Sequence, residues 1–454
     1  MARKLFGTDG IRGPANRFPM TPDVVLKVGQ AMGLLLRQMP GRQGQKRMVL
    51  IGKDTRLSGY MVEQALAAGF NSMGVGVQLT GPLPTPGIGF LARNMRADAG
   101  VIISASHNPY HDNGIKIFGA DGFKIPDSME KEIERLVEEE DLTKSLAGSD
   151  VIGRSRRIDD AAGRYIVYAK NSFPLNLSLE GMRIVLDCAN GAGYKVAPAV
   201  FAELGADLVV IGDKPDGYNI NDKAGALHPD RLREAVARYR ADVGISLDGD
   251  GDRVIMVDDK GEIVNGDHIL AICAIHLSKK KCLPQNTIVA TQMSNVGLDI
   301  AMKKHGIYVV RTDVGDKNVV EAMRKNGYSL GGEQSGHIIH LEHSTTGDGC
   351  VAALNVLAVM KSEDKPLSEL KNMMEEVPQV LISTRVSRRK DLNEIPGYQK
   401  LIDKSETKLK GNGRLFVRFS GTEPVIRVLV EGHDREEIAR MAEEISKFLQ
   451  SELA

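Results

Sequence analysis

The chain has 454 residues and a mass of 49.3 kDa, a length that corresponds to roughly three or four domains. Hydrophobic residues make up 42% and charged residues 26% of the chain, as in soluble globular proteins, which excludes wholesale disorder. Lys and Arg total 59, as do Asp and Glu, so the formal net charge is zero. A nucleic-acid-binding protein would carry a basic excess, and no nucleic-acid partner is therefore expected.

Nothing in the sequence indicates a membrane protein or a secreted one. The longest apolar run, residues 351–360, is far shorter than the ~20 residues needed to cross a bilayer. The first residues lack the apolar stretch of a signal peptide. The cysteines form no C-x-x-C pair, which favours reduced thiols over a disulfide scaffold; they are Cys188, Cys273, Cys282 and Cys350. We therefore expect a cytoplasmic protein without a membrane partner.

Short apolar runs that end in polar or glycine-rich loops, each followed by a helix-like stretch, recur along the first three quarters of the chain. The clearest runs are residues 49–51, 99–103, 184–186 and 288–290. This rhythm predicts an α/β protein with three similar mixed α/β domains in series. The C-terminal part reads strand, loop, strand, helix and predicts a smaller α+β domain.

Polar joints between these units predict the domain boundaries. We expect domains at residues 1–153, 154–260, 261–370 and 371–454. Residues 127–140 read as an acidic surface helix, and Asp127 and Glu130 have the spacing of a capping box at its start.

The first candidate site follows the apolar run 99–103. Ser104 and Ser106 lie where strands of α/β sheets present side chains to a crevice, so a serine there can act as a nucleophile. Serine needs a neighbouring base or cation for that role, and His107 is adjacent while Lys116 follows closely. A capped turn is the alternative, because Ser, Asn and Pro are ordinary turn residues.

The second candidate site is a run of alternating acids. Asp248, Asp250 and Asp252, separated by glycines and followed by Arg253, indicate a site for a hard cation. An EF-hand does not fit, because its sixth and twelfth positions would be Arg253 and Asp259 instead of Gly and Glu. A phosphatase of the haloacid dehalogenase type, with Asp248 as nucleophile, and a purely structural turn remain alternatives.

The third candidate site lies between two predicted strands near the C-terminus. Backbone N–H groups, two hydroxyls and two flanking arginines there would form an anion cradle suited to a phosphate monoester. Its residues are Arg418, Ser420, Gly421, Thr422 and Arg427. A hairpin loop with exposed arginines is the alternative.

The fourth candidate site is a glycine-rich turn after a strand-like run. Glu333 and Ser335 stand two residues apart there and can point at adjacent sugar hydroxyls, although glycine-rich loops are common. Upstream, Asp316 and Lys317 are similar in character, and a surface ion pair between them is the simpler interpretation.

The four signals occur one per predicted domain, and the ordered set resembles the α-D-phosphohexomutase family. The resemblance runs from residues 5–13 to the C-terminal helix and so covers nearly the whole chain. It implies four domains around a central cleft, with a mobile last domain. The Ser-Ala-Ser-His-Asn-Pro motif at residues 104–109 is similar to the branch of the family that acts on glucosamine phosphates. The glucose and mannose enzymes usually have Thr-Gly-Ser-His-Asn-Pro.

The resemblance also implies a role for each candidate residue. Ser106, beside His107, would carry a phosphoryl group, and Ser104 would not. An oxygen of phosphorylated Ser106 would bind Mg²⁺ together with Asp248, Asp250 and Asp252. Basic groups near the reacting phosphoryl would be Arg12, Arg253 and Lys116, the last a candidate for proton transfer. Glu333 and Ser335 would read sugar hydroxyls, and the distal phosphate would be clamped by Arg418, Ser420, Gly421, Thr422 and Arg427.

The implied reaction interconverts glucosamine 6-phosphate and glucosamine 1-phosphate through a phosphoserine and a 1,6-bisphosphate, a step towards UDP-N-acetylglucosamine. Glucosamine or glucose 1,6-bisphosphate would phosphorylate the serine, and the resemblance suggests a homodimer. Two other classes remain open. One is the dehalogenase-type phosphatase, and the other is a non-enzymatic sensor of sugar phosphates, which would have no need for three acids beside a serine.

Overall fold

A computed structural model describes residues 5–7, 9–39, 46–409, 413–419 and 425–453. In these residues the chain forms four sheets in series, of seven, five, four and three strands. Helices accompany each of the first three mixed sheets, and the last sheet is antiparallel. The predicted fold class, three similar α/β domains followed by a smaller α+β domain, is confirmed.

The first sheet has the order β1-β2-β6-β5-β3-β4-β7. Its strands are β1 (Phe6–Gly7), β2 (Gly10–Pro14), β3 (Met48–Lys53), β4 (Gly76–Pro82), β5 (Ala99–Ile103), β6 (Asp112–Gly119) and β7 (Ser155–Arg157). The accompanying helices are α1 (Pro22–Gln38), α2 (Ser58–Ser72), α3 (Thr85–Asn94) and α4 (Asp127–Glu139).

The second sheet has the order β12-β11-β10-β8-β9. Its elements are α5 (Ala161–Lys170), β8 (Arg183–Asp187), α6 (Val196–Ala202), β9 (Asp207–Ile211), α7 (Asp230–Tyr239), β10 (Val243–Leu247), β11 (Val254–Asp258) and β12 (Ile263–Val264). The third sheet has the order β14-β13-β15-β16. Its elements are α8 (Gly266–Lys279), β13 (Thr287–Thr291), α9 (Val296–Lys304), β14 (Tyr308–Thr312), α10 (Asp316–Asn326), β15 (Leu330–Gly332), β16 (Ile338–His340), α11 (Gly349–Glu363) and α12 (Leu367–Leu370).

The fourth sheet has the order β17-β19-β18. Its elements are β17 (Gln379–Arg385), α13 (Tyr398–Leu409), β18 (Arg414–Phe419), β19 (Val425–Glu431) and α14 (Arg435–Glu452). A separate hydrophobic core holds this domain together, whereas one continuous core runs through the first three. No helix of the described residues is long and apolar enough to span a membrane.

A four-strand unit repeats in the first three sheets. Each unit has two parallel strands, a third parallel strand beside the first, and a fourth strand antiparallel to the third. The units are β4-β3-β5-β6, β9-β8-β10-β11 and β14-β13-β15-β16. The turn between the third and fourth strands therefore has the same place in each unit. These three turns contain the candidate residues, and we call them the serine loop (residues 104–111), the acid loop (residues 248–253) and the Glu-x-Ser loop (residues 333–337).

Burial explains why the central strands could be recognised in the sequence. Every residue of β5, β10 and β13 is buried. Parallel strands covered on both faces need apolar side chains on both, so they read as unbroken apolar runs. Two short edge strands, β7 and β12, extend the first and second sheets a few residues past the boundaries predicted at 153 and 260. Those boundaries remain predictions.

The start of α4 differs from the sequence-based expectation. Pro126 occupies the N-cap position, and no side chain of the described residues caps the helix there, so the predicted capping box is wrong. Asp127 and Glu130 instead form ion pairs with Lys317 of α10. The acidic face of α4 therefore binds a neighbouring domain, and local spacing alone could not show this.

Buried polar groups connect the third and fourth domains. The side chain of Asn295 donates to the carbonyl oxygen of Val377 over 2.9 Å, and its backbone N–H donates to Asp267 Oδ2 over 2.8 Å. Glu431, which is fully buried at the end of β19, accepts from Arg414 over 2.7 Å and from the backbone N–H of Val296, the first residue of α9, over 3.3 Å. The base of the last hairpin is thus anchored close to the start of α9.

Asp267 gives this junction a pH dependence. Burial raises the pKa of Asp267 to about 7, so the folded protein keeps a proton that the unfolded chain loses near pH 4. The stability contributed by Asp267 therefore falls as the pH rises from about 4 to 7. Asp267→Asn has no such carboxylate and should not lose stability in this way. The difference in free energy of unfolding, variant minus wild type, should therefore rise by about 1–3 kcal/mol between pH 5 and pH 8. Urea unfolding at both pH values measures it, with exposed Asp403→Asn as the control. A difference that is independent of pH would contradict the assignment.

Candidate active site

The serine loop holds Ser106 in an unusual backbone conformation. Ser106 has φ of +51°, in the left-handed region that non-glycine residues seldom adopt. Its backbone N–H donates to Ser104 Oγ over 2.9 Å, and its carbonyl oxygen accepts from Asn221 Nδ2 over 2.9 Å and from Arg56 over 3.3 Å. These contacts from two domains fix the strained residue, as is common at functional sites.

The two serines of the loop have different surroundings. Ser106 Oγ donates to Asp248 Oδ2 over 2.6 Å, so its hydroxyl faces the acid loop of the second domain. Ser104 Oγ donates to Asp54 Oδ2 over 2.6 Å and accepts from the backbone of Ser106. The hydroxyl of Ser104 is therefore occupied in holding the loop, and only that of Ser106 points towards the acids.

Asp248, Asp250 and Asp252 form a buried cluster in which one carboxylate oxygen of each residue lies within 4.8 Å of the others. Burial and the charges of Asp252 and Asp250 raise the pKa of Asp248 well above its ordinary value. Asp250 Oδ1 and Asp252 Oδ1 are buried without a hydrogen-bond partner among the described residues. Oxygen ligands, shared negative charge and unsatisfied oxygens are what a hard divalent cation requires, so the cluster fits Mg²⁺.

Lys116 lies against this cluster and is almost fully buried. Its Nζ is 3.2 Å from Asp250 Oδ2, 3.3 Å from Asp252 Oδ2 and 3.2 Å from Asp9 Oδ2. Burial lowers the pKa of Lys116, but the three carboxylates outweigh it and raise the pKa well above its ordinary value. Lys116 is therefore held as an ammonium group beside the acid cluster.

His107 and Arg253 form a second polar contact beside Ser106. An arginine N–H lies 2.9 Å from His107 Nδ1, and because a guanidinium only donates, Nδ1 must accept. Burial, together with the charges of Arg253 and Arg12, lowers the pKa of His107 to about 4. The ring is thus neutral at physiological pH and carries its proton on Nε2. Arg12 completes this basic group through an ion pair of 3.0 Å with Asp9.

The Glu-x-Ser loop of the third domain packs against the acid loop. The backbone N–H of Val254 donates to the carbonyl oxygen of Gly336 over 3.0 Å, and His337 Nδ1 lies 3.6 Å from Asp252 Oδ1. Glu333 Oε1 accepts from the backbone N–H of Gly315 over 3.2 Å, while Ser335 is exposed. The structure therefore brings the first three loops together.

Two arginines of the predicted phosphate clamp face each other in the fourth sheet. Arg418 of β18 and Arg427 of β19 are opposite residues of the antiparallel pair. Burial and the charge of Arg427 lower the pKa of Arg418. Like charges directly opposite each other are unfavourable, and an anion between them would relieve the repulsion. Ser420, Gly421 and Thr422, the other predicted clamp residues, lie outside the described residues.

Several residues of the site carried no signal in the sequence. Asp54 and Arg56 form a fully buried ion pair that supports the serine loop, and Thr85 Oγ1 donates to Asp250 Oδ2 over 2.6 Å. The surface ion pair expected between Asp316 and Lys317 is absent from the described structure, because the Asp316 carboxylate binds Lys124 over 2.6 Å instead. Polar residues in turns are common, so only their placement in space distinguishes these.

Family models of the four phosphoglucomutase/phosphomannomutase domains match the chain in order. The alpha/beta/alpha domains I, II and III match residues 3–144, 164–261 and 265–377, and the C-terminal domain matches residues 381–448. The chain therefore belongs to the phosphoglucomutase/phosphomannomutase family of α-D-phosphohexomutases, which confirms the resemblance carried by its motifs.

Individual relatives with assigned names or solved structures show which members of the family this chain is similar to. The chain is 66% identical over 452 residues to the phosphoglucosamine mutase of Bdellovibrio bacteriovorus, covering 99% of both chains. A phosphoglucomutase/phosphomannomutase family protein from Burkholderia thailandensis has a similar structure, with a TM-score of 0.79, 25% identity and coverage of 99% of this chain and 97% of the other. The N-acetylphosphoglucosamine mutase of Aspergillus fumigatus, solved with GlcNAc-6P and magnesium, shares the fold with a TM-score of 0.67 at 18% identity, covering 99% of this chain and 96% of the other.

Proposed function

We propose that this protein interconverts glucosamine 6-phosphate and glucosamine 1-phosphate by means of a phosphoserine at position 106. The observation that carries the proposal is the hydrogen bond from Ser106 Oγ to Asp248 at the edge of the acid cluster. Ser106 is buried, and the acid cluster that its hydroxyl faces is also contacted by the ammonium of Lys116. The 66% identity to a phosphoglucosamine mutase supports the choice of sugar.

The proposed cation is Mg²⁺, the ion named with the Aspergillus structure. Asp248, Asp250, Asp252 and an oxygen of phosphorylated Ser106 would hold it. When bound, it supplies positive charge that offsets the negative charge of the phosphoryl oxygens. Phosphoryl transfer demands little covalent work from the protein beyond placing groups in line and neutralising charge. Arg253 and Lys116 would share in that neutralisation.

In the first half of the reaction the phosphoryl group leaves Ser106 for O1 of glucosamine 6-phosphate, and the product is glucosamine 1,6-bisphosphate. The O1 hydroxyl loses its proton, for which Lys116 is the candidate acceptor. A cation on Asp250 and Asp252 would offset the carboxylate charges that hold Lys116 as an ammonium, and would so favour the neutral form that accepts a proton. The Ser106 oxygen that is released takes a proton from the Asp248 carboxyl group, which receives it back when Ser106 is phosphorylated again.

In the second half the bisphosphate turns around and the 6-phosphoryl group returns to Ser106. The bond between that phosphorus and O6 breaks, and the leaving O6 takes a proton from the Lys116 ammonium. The proton of the Ser106 hydroxyl is directed at Asp248 Oδ2. Glucosamine 1-phosphate is released, and the phosphoserine is restored without net consumption of phosphate.

Both ends of the bisphosphate must use the same clamp, so the distal phosphate should be read by groups that accept either orientation. Arg418 and Arg427, with Ser420, Gly421 and Thr422, form the proposed clamp, and Glu333 and Ser335 are the proposed readers of sugar hydroxyls. The last domain has its own core, so its movement could close the cleft over the substrate and keep water from the phosphoserine.

Removal of one clamp arginine tests this part of the proposal. Arg418→Ala should raise the KM for glucosamine 6-phosphate about 10- to 100-fold, because a charged hydrogen bond to phosphate is lost, and should also lower turnover. Arg418→Lys should recover only part of the loss, since lysine cannot bind bidentately. Steady-state kinetics measures both variants, with Arg440→Ala, an exposed arginine of α14, as the control. Unchanged kinetics for Arg418→Ala would exclude Arg418 from the clamp.

The proposal includes an activator, an assembly and a location. Glucosamine or glucose 1,6-bisphosphate would phosphorylate Ser106 at the outset. A homodimer follows from the family resemblance, and light scattering should then give twice the 49.3 kDa of one chain. All four cysteines are free thiols, three of them buried, as suits the reducing cytoplasm, where the product would lead towards UDP-N-acetylglucosamine.

The deciding experiment is ³¹P NMR of the purified protein with Mg²⁺, a trace of glucose 1,6-bisphosphate and glucosamine 6-phosphate. We expect the signal of glucosamine 1-phosphate to grow while total ester stays constant. Growth of free phosphate would instead favour the dehalogenase-type phosphatase with Asp248 as nucleophile. Binding of the sugar phosphate without conversion by the phosphorylated protein would favour a sensor.

A further inference from the structure

Six ionisable side chains form a closed ring of contacts that joins the first three domains. Asp9, Lys116 and Lys124 come from the first domain, Asp252 from the second, and Asp316 and His337 from the third. Successive separations are 3.2 Å for Asp9–Lys116, 3.3 Å for Lys116–Asp252, 3.6 Å for Asp252–His337, 3.6 Å for His337–Asp316 and 2.6 Å for Asp316–Lys124. A hydrogen bond from Lys124 to Asp9 closes the ring.

Lys124 links the first domain to the third, because it contacts Asp316, which is 192 residues away in the sequence. It follows β6 in the first domain, and its Nζ donates both to Asp9 Oδ1 and to Asp316 Oδ2. The side chains of Lys124 and Asp316 are only 16% and 14% exposed, so water and salt screen this pair weakly. Burial lowers the pKa of Lys124, but the charges of Asp316 and Asp9 outweigh this effect. The pKa is therefore raised, and the ammonium stays charged.

The position of Lys116 depends on Asp9. An ammonium has three donors, and Lys116 faces three carboxylates, of which Asp250 and Asp252 belong to the acid loop and are buried. The third, Asp9, is 29% exposed and less constrained by packing. Its Oδ2 faces Lys116 and Arg12, while its Oδ1 is held by Lys124. Without Lys124, one oxygen of Asp9 would lose its partner and the carboxylate could rotate away from Lys116.

We propose that Lys124 is a positioning residue for phosphoryl transfer: through Asp9 it fixes the ammonium of Lys116, and through Asp316 it makes that position depend on the seating of the third domain. The inference rests on the proposed function, because it assigns Lys116 to the reacting oxygens. It adds a group that touches neither substrate nor cation.

A neighbouring ion pair offers a matched control. Lys317 follows Asp316 directly, and its ammonium forms ion pairs with Asp127 and Glu130 of α4. This contact also links the third domain to the first, but Asp127 is 61% exposed and the Lys317 ammonium contacts no member of the ring in the described structure. Lys317→Met therefore removes a tether between the same domains and leaves the position of Lys116 intact.

The kinetic test compares Lys124→Met, Lys124→Arg and Lys317→Met. A misplacement of about 1 Å at a reacting group can cost about 100-fold in rate. We expect Lys124→Met to lower kcat about 10- to 100-fold with KM for glucosamine 6-phosphate within about threefold, since the clamp is untouched. Lys124→Arg should recover a large part of kcat, and Lys317→Met should stay within about twofold of wild type. Thermal melting of each variant confirms that it is folded.

A second readout does not depend on turnover. In protein labelled with ¹⁵N at lysine side chains, Lys116→Arg identifies the Lys116 ammonium signal. We expect that signal to be shifted or broadened in Lys124→Met and unchanged in Lys317→Met. An unchanged Lys116 signal, or equal loss of kcat in Lys124→Met and Lys317→Met, would overturn the positioning role. Wild-type protein that converts no glucosamine 6-phosphate but shows the expected NMR change would instead overturn the proposed function alone.

Discussion

Ser106→Ala should abolish mutase turnover, with a loss on the order of 10⁴-fold or more, because the protein then has no group to carry the phosphoryl between the two ends of the sugar. The variant should still bind glucosamine 6-phosphate, since the clamp and the sugar-reading loop are unchanged. The measurement is turnover by ³¹P NMR together with phosphopeptide mapping after incubation with glucose 1,6-bisphosphate.

Ser104→Ala is the matched control for this variant. Ser104 is equally buried, two residues away, and its hydroxyl supports the backbone of Ser106 without facing the acids. We expect Ser104→Ala to lose about tenfold in rate through poorer positioning, and to become phosphorylated on Ser106 all the same. Phosphate found on Asp248 in either protein, or turnover by Ser106→Ala, would contradict the phosphoserine mechanism.

Asp250→Asn should weaken the binding of Mg²⁺ by at least about 100-fold and reduce activity at limiting Mg²⁺ accordingly. Asp250 combines an unsatisfied oxygen in the acid cluster with a second oxygen that accepts from Thr85 and Lys116. An amide would supply at most one neutral oxygen ligand and would no longer attract the Lys116 ammonium as a carboxylate does. Isothermal titration calorimetry measures the cation affinity without reference to turnover.

Asp258→Asn provides the comparison. Asp258 is a buried carboxylate at the end of β11 in the same domain, but its oxygen accepts from the turn backbone at Lys260 and Glu262. We expect Mg²⁺ affinity within about twofold of wild type for Asp258→Asn. Equal affinity in both variants would show that the acid cluster is not the cation site. Treatment with EDTA should stop turnover in wild-type protein, and added Mg²⁺ should restore it.

The strands that could be predicted from the sequence are those whose burial requires a run of apolar residues. β5, β10 and β13 are covered on both faces, so they appear as apolar runs, and the chemically active loops follow strands of the repeated unit. The short edge strands β7 and β12 have too few residues to leave such a pattern.

The ring of six ionisable side chains could not be predicted in the same way. Lys124 is 115 residues from Asp9 and 192 residues from Asp316, and a lysine or an aspartate in a turn looks the same whether it is solvated or buried in a pair. The capping box expected at Asp127 failed for a related reason, because the carboxylate found a partner in another domain. Local rules describe what a side chain can do, and the packing of domains decides which of these contacts forms.

The left-handed conformation of Ser106 restricts which amino acid can carry the phosphoryl group. Threonine has the same reactive hydroxyl, but its branched Cβ crowds the backbone at positive φ, where β-branched residues are outliers. Hydrogen bonds from Asn221 of the second domain and Arg56 of the first hold the backbone in that shape, so it cannot relax to suit a bulkier side chain. The choice of serine is therefore made by the peptide geometry of the loop, independently of the chemistry of transfer.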